Sequence, residues 1–318
     1  MKQSFRHRVV IVLVCVLAVL LLVPINAHAM SCSLSMPPIV FGNVNVITGA
    51  AVSTTSTVTV NCSGLGSTGA RVCISIGAGS ASDSTSRLLI GPSGATVRYD
   101  LYTDPAHTQL WGSWQTGYDG GGVQVDMTGH GKSTMKVPVY AKLFGSQQSA
   151  VSGSYLSTFA ADPYIQYGRL GSTPCPTGRS IASFSTSATA TVLSACNVSA
   201  QNINFGTVGF LASNTDATGA ITVQCDLGLP YTVSLNGGIS DATNPALRQM
   251  SFSGSTVTYG LYQDSARSQP WGNTMGSNSV AGIGTGSSQT LTVYGRIPAQ
   301  TTPAPGTYTD TIVVTVGY

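Results

Sequence analysis

Ala182-Ser-Phe-Ser-Thr-Ser-Ala-Thr-Ala-Thr-Val-Leu193 is written in a two-residue period. Ala182, Phe184, Thr186, Ala188, Ala190 and Val192 fall on one side of an extended chain, and serines and threonines fall on the other. That alternation predicts a β-strand with one apolar face and one polar face. Cys196 follows shortly after. A domain-sized repeat occurs twice in this chain, and a strand of this kind precedes only the second copy.

The repeat is carried by residues at matched spacing. Cys32, Phe41-Gly42, Val44 and Thr59-Val60-Asn61-Cys62 align with Cys196, Phe205-Gly206, Val208 and Thr222-Val223-Gln224-Cys225. Further on, Tyr99, Leu101-Tyr102, Asp104 and Trp111-Gly112 align with Tyr259, Leu261-Tyr262, Asp264 and Trp271-Gly272. Val139-Tyr140 and Gly153-Ser-Tyr155 align with Val293-Tyr294 and Gly306-Thr-Tyr308. Each copy is long enough to hold a sandwich core of its own. Strands are predicted near 39–46, 56–62, 71–77, 96–103, 133–143 and 155–160. In the second copy they are predicted near 203–209, 220–225, 231–236, 255–262, 289–297 and 307–316.

Six strands make an immunoglobulin-like sandwich with one strand missing. Residues 182–193 supply the seventh for the first copy, and nothing plays that part for the second. The expected fold is therefore all-β: two tandem immunoglobulin-like β-sandwiches, the second lacking its last strand. The expected boundaries are 1–29 for a signal peptide, 30–181 for the first domain, 182–193 for the linking strand and 194–318 for the second domain.

The amino terminus carries Lys2, Arg6 and Arg8, an apolar run from Val9 to Val23, and the small-residue site Ala27-His28-Ala29. This is the pattern of a secretory signal peptide cleaved after Ala29, and the run is too short for a membrane span. The full chain holds 14 Lys and Arg against 11 acids, and loss of the leader leaves 11 of each; every acid is Asp. A near-neutral chain without clustered cations argues against nucleic acid as a partner.

Cys15 leaves with the leader, and the remaining six cysteines of an exported chain are expected in disulfides. The repeat pairs Cys32 with Cys62 and Cys196 with Cys225, leaving Cys73 for Cys175; the counterpart of Cys73 is Thr232. Each bridge closing a loop of about thirty residues is worth roughly 3–4 kcal/mol on the chain-entropy account.

Catalysis and cofactors find little material. The mature chain has His107 and His130, no Glu, and no H-E-x-x-H, G-x-S-x-G or C-x-x-C pattern. No metal and no cofactor is expected, and the protein is not expected to be an enzyme. Gly64-Leu-Gly66-Ser-Thr-Gly69 fits G-x-G-x-x-G, but it joins two strands with no helix to receive a phosphate, so it reads as a turn.

On the Phe-Gly after the first cysteine, the Leu-Tyr-x-Asp with Trp-Gly, the Val-Tyr pair and the terminal Gly-x-Tyr strand, the chain resembles the spore coat protein U family. That family includes subunits of archaic chaperone-usher pili. The resemblance implies donor-strand complementation: an incomplete subunit is closed by an extension of its neighbour, after a periplasmic chaperone has held the gap and an outer-membrane usher has received it. In these terms Phe184, Ala188, Ala190 and Val192 form the in-cis completing strand of the first domain. Phe205, Val208, Ile312, Val314 and Val316 line the acceptor groove of the second.

With only Met30 and Ser31 ahead of Cys32 in the mature chain, the protein is expected to accept a strand and not to donate one. The implied role is a tip adhesin, exported through the periplasm to the pilus tip at the cell surface, acting in surface attachment and biofilm formation. Its ligand would be an abiotic surface or a host or biofilm ligand. The alternatives are a self-contained, spore-coat-like or matrix structural protein, and a carbohydrate-binding module resting on loop aromatics.

Taking strand order back from the linker places loops 47–55, 78–96 and 144–153 at the pole away from the second domain. Ile47, Leu88, Leu89, Ile90, Phe144 and Val151 are then candidates for an apolar contact surface. Leu247 and Met250 at the matching place in copy two argue instead for loop-anchoring core residues. Trp111 and Trp271 recur and read as core. Trp114 and Tyr118 have no counterpart and are candidates for binding or for an exposed loop.

Overall fold

The computed structural model describes residues 29–318 apart from 46, 48, 84, 115–117, 161–162, 172–174 and 176–179. Residues 1–28 of the expected signal peptide therefore lie outside the described residues. Strands and loops make up the described chain, with one 3-10 turn at Pro92–Gly94 and no α-helix among the described residues.

Among the described residues twelve strands form the first domain: β1 (Ser31–Ser35), β2 (Ile39–Val44), β3 (Val52–Leu65), β4 (Ala70–Ile76), β5 (Arg87–Ile90), β6 (Thr96–Tyr102), β7 (Val123–Met127), β8 (Gly131–Leu143), β9 (Gly153–Phe159), β10 (Pro163–Arg169), β11 (Ser180–Ser183) and β12 (Thr186–Val192). They pack as an eight-stranded sheet in the order β1-β3-β8-β6-β5-β9-β12-β2 over a four-stranded sheet in the order β11-β10-β4-β7. Eight strands form the second domain: β13 (Cys196–Ala200), β14 (Thr215–Cys225), β15 (Pro230–Leu235), β16 (Arg248–Phe252), β17 (Ser255–Tyr262), β18 (Val280–Ile283), β19 (Gln289–Ile297) and β20 (Val314–Gly317). Their sheets run β13-β14-β19-β17-β16 and β18-β15-β20.

The strands follow from β-branched residues in period two. Val58, Val60 and Cys62 of β3 turn into the core while Thr57, Thr59 and Asn61 turn outward. Each core is centred on a tryptophan, Trp111 or Trp271, whose indole N–H donates to Ile74 O at 3.3 Å or Val233 O at 3.0 Å. The Phe-Gly pair has a structural reason. Gly42 and Gly206 stand at φ +73° and +77°, in the left-handed region that favours glycine. At Gly42 the resulting bulge turns both Phe41 and Val44 inward.

Two sequence expectations change. Residues 182–193 are not one strand: β11 pairs with β10 in the smaller sheet, and β12 pairs with β9 in the larger. The run from β9 to β10 crosses between the layers, and β11–β12 follows it antiparallel, so it must break at the same level. Phe184 lies in that crossing, where its N–H donates to Pro163 O at 3.2 Å.

In the second domain, 203–209 is not a strand. The expected strand 307–316 is reduced to a bridge between Thr309 and Ser251 followed by β20. Their counterparts β2 and β9 are strands because β12 lies between them and supplies both ladders. Without that partner, the same sequence pattern has nothing to pair with.

Candidate functional site

β12 is antiparallel to β9, from Thr186 opposite Phe159 to Val192 opposite Gly153. On its other side it is parallel to β2, with Ala188 opposite Ile39 and Val192 opposite Val44. Its inward residues Thr186, Ala188, Ala190 and Val192 are buried, and the alanines and Val192 share one core with Phe41, Tyr99 and Tyr155. Phe184, ahead of the strand, is half-buried against the same core.

In the second domain the matching space is open. Two adjoining clefts of about 480 and 670 Å³ share Ile203, Asn204, Phe205, Met250 and Tyr308. Ile312 and Val314 line the first, and Val208 lines the second. By the repeat, Ile39, Phe41, Val44, Leu89 and Tyr155 correspond to Ile203, Phe205, Val208, Met250 and Tyr308. The first five are at most 6% exposed, whereas Val208 is 38% exposed and the other four are half-buried. Val316 is not on the cleft wall: it pairs with Val233 on β20, the edge strand of the smaller sheet. Its counterpart Ile165 is covered by Ala182 of β11, so the vacancy spans the places of both β11 and β12.

Sequence reasoning missed the polar floor of the cleft. Tyr259 Oη donates to Asp310 Oδ2 at 2.6 Å, and Asp310 Oδ1 accepts from the N–H of Ile239 at 2.7 Å and of Thr311 at 2.8 Å. Burial and the neighbouring carboxylate push the Tyr259 phenol well above its ordinary pKa. Below it Arg248 is fully buried and donates only to carbonyls, those of Leu235, Asn236, Pro245 and Trp271. Its pKa is lowered by desolvation, against which Tyr259 and Asp310 act.

In the first domain Arg87 instead bonds Asp100 at 2.8 Å. Asp100 becomes Gly260, and Ser157 becomes Asp310, so the anion has moved to the floor of the open cleft. Comparing the two copies position by position would have shown this exchange.

The proposed contact loops are not all where they were expected. Ile47 and Leu89 are buried, and Leu88 and Ile90 belong to β5 rather than to a loop; of these only Ile90 is exposed. The 144–153 loop faces the second domain: the Gln148 carbonyl packs so closely on Gly286 that a Cβ there would overlap it. The inversion arises because β9 and β10 prolong one another across the two layers, a crossing that a six-strand reading does not contain.

Half-buried Phe144 has the Arg98 guanidinium 5.8 Å from its ring centre. Val151 is half-buried too, and its N–H and carbonyl both bond Tyr155 Oη. Trp114 is half-buried over Gly121 and Gly122. Tyr118 donates to Asp100 at 2.7 Å while Arg87 stacks 4.1 Å from its ring centre, so it closes a buried ion pair. Disulfides join Cys32 to Cys62, Cys73 to Cys175 and Cys196 to Cys225. Among the described residues no three His, Cys, Asp or Glu side chains are grouped to hold a metal.

Residues 18–162 and 182–315 match the Spore Coat Protein U domain. Both matches begin equally far ahead of the copy's first cysteine, so the second takes in β12. Over 128 residues, 36% of this chain and 71% of the relative, the sequence is 33% identical to Protein U of Myxococcus xanthus.

Among solved structures the fold is similar to the crystal structure of the CsuC-CsuE chaperone-tip adhesion subunit pre-assembly complex, from archaic chaperone-usher Csu pili of Acinetobacter baumannii. The TM-score is 0.52 at 16% identity, over 91% of this chain and 100% of that one. The CupB6 tip adhesin of Pseudomonas aeruginosa aligns over 91% of this chain and 94% of its own, at 12% identity and a TM-score of 0.35.

Proposed function

Because this chain belongs to the Spore Coat Protein U domain family, we propose that it is the tip adhesin subunit of an archaic chaperone-usher pilus, closed by a strand donated from the adjacent pilin subunit. One observation carries this reading: β12 fills a slot in the first domain, and the equivalent slot in the second is empty. An unfilled slot leaves apolar side chains in water and an edge without ladder partners, which strand addition repairs. Completing the burial of Ile203, Phe205, Val208, Met250, Tyr308 and Ile312 is worth on the order of 1 kcal/mol per side chain.

The chain's own strand cannot do this. A strand seated like β12 ends beside Val208, at the pole of the second domain opposite Cys225. From Val192, only Leu193–Ala195 lead to Cys196, which is bonded to Cys225. Those three residues reach about 10 Å, whereas the eleven residues of β14 separate the poles by about 37 Å. β12 therefore does not close the second domain, and in the proposed reading the donor comes in trans.

The tip position, export through the periplasm to the cell surface, the chaperone and usher, and a role in attachment and biofilm formation belong to the same proposal. The likeness to the Acinetobacter tip subunit, which is held by its chaperone in a pre-assembly complex, supports it. In this reading the first domain, closed by its own strand, carries the contact to an abiotic surface or to a host or biofilm ligand.

The matched domain's description as that of a spore coat protein favours a second reading, a self-contained coat or matrix protein. Thermal unfolding of the mature chain with and without a synthetic peptide of residues 182–193 separates the two. A tip subunit gains a higher second transition with the peptide; a self-contained protein shows the same two transitions either way.

A further inference from the structure

Phe210 is 83% exposed, more than any other large apolar side chain described. It stands one turn of chain beyond Val208, where the vacant cleft ends. Its loop is fixed: Leu211 beneath it is buried, the Leu211 N–H donates to Thr302 Oγ1 at 2.9 Å, and Gln300 N donates to Leu211 O at 2.8 Å. A lone exposed apolar residue needs no explanation by itself, but this one sits where a seated strand leaves the domain.

The chain holds its own pattern for what happens at such an exit. Where β12 leaves the first domain, Leu193 N donates to Val44 O at 3.0 Å. Three residues later the chain enters Cys196 at the disulfide-bearing pole of the next domain. There Asp226 Oδ2 accepts from Ala195 N at 2.7 Å, and Asp226 N donates to Ala195 O at 3.1 Å. The Gln148 carbonyl lies on Gly286, which at φ +76° and without a Cβ lets the two poles close. A strand thus delivers the folded domain behind it directly onto the pole from which it emerges.

We propose that the pole of the second domain around Phe210 is a docking face for the folded domain of the donating subunit, which presents the pole carrying its first disulfide. This rests on the strand-acceptor reading above and adds a second contact to it. Phe210 lies two residues beyond Val208, whose counterpart Val44 ends β2 at the junction between the two domains of this chain and accepts there from Leu193 N. The docking face is therefore continuous with the strand cleft and shares its geometry. The partner is a β domain joined to its donor strand by about three residues, the reach that the Leu193–Ala195 link allows.

The test uses the mature chain with residues 182–195 placed directly ahead of Cys32, so that each copy carries a donor strand with the same short link. Head-to-tail oligomers are expected. Phe210→p-benzoylphenylalanine in this chain should give cross-linked ladders on irradiation, and Phe210→Ser should speed oligomer dissociation about tenfold while leaving the affinity of the separate 182–193 peptide unchanged. Oligomers that neither cross-link through position 210 nor dissociate faster with Phe210→Ser overturn the docking face and leave strand donation standing. If neither the peptide nor the extended chain occupies the cleft, strand donation and the docking face fall together.

Discussion

Tyr259 and Asp310 are joined by a 2.6 Å hydrogen bond on the floor of the vacant cleft, where the first domain has Tyr99 and Ser157. The bond holds the terminal segment against β17 although no strand covers it. The same carboxylate is the anion nearest in role to Asp100, which the second domain lacks. Asp310→Ser, restoring the first-domain residue, removes three hydrogen bonds and leaves buried Arg248 without its compensating field. A loss of about 2–4 kcal/mol from the second domain is expected, read as a drop in its unfolding transition with the first domain's transition unchanged.

Arg87, Asp100 and Tyr118 form the corresponding buried network of the first domain. Asp100→Asn leaves a fully buried guanidinium without its carboxylate and should cost about 3–5 kcal/mol of first-domain stability. Tyr118→Phe removes one hydrogen bond to a charged group and should cost about 1.5–3 kcal/mol in denaturant unfolding. Surface attachment by folded Tyr118→Phe protein is expected to be unchanged.

Ala188 of β12 is fully buried against Ile39 and Ser157. Ala188→Asp places a carboxylate there and should cost at least about 3 kcal/mol. The first domain then opens as the second is open, and limited proteolysis should cut both. Thr189→Asp, on the outward face of the same strand, should leave the pattern unchanged.

Asp226 is buried at the junction with one carboxylate oxygen unpartnered, and burial raises its pKa. A carboxyl whose folded pKa is raised contributes stability that is full below the ordinary carboxylate range and is lost as pH rises through the raised value. The exposed pairs Arg71–Asp126 and Arg296–Asp216 work in the opposite sense, because their carboxylates are lowered. The informative quantity is therefore the difference between wild type and Asp226→Asn. Wild type should gain stability relative to the variant as pH falls from 7 towards 4, measured by denaturant midpoints at each pH.

The first domain's sandwich and the existence of two copies were legible because period-two β-branched runs and paired cysteines are local signals. The break at Phe184–Ser185 was not, because it is set by where β9 crosses to β10. Nor could local pattern show that 203–208 stays unpaired: its residues match those of β2, and what differs is the strand beside them. The cleft residues Phe205, Val208 and Ile312 could be named from the repeat. Asp310 could have been, since it replaces Ser157 while Gly260 replaces Asp100. The candidates Ile47 and Leu89 were misjudged because apolar residues near strand ends fill the core more often than they meet a ligand.

Amide hydrogen exchange on the mature monomer tests the central claim most directly, by comparing 203–208 and 306–312 with their counterparts 39–44 and 153–159. Fast exchange is predicted in the second-domain segments and slow exchange in the first, with the fast set becoming slow once the 182–193 peptide is added. Equal, strong protection of all four segments in the isolated monomer would mean that the second domain is already closed, and would contradict the account.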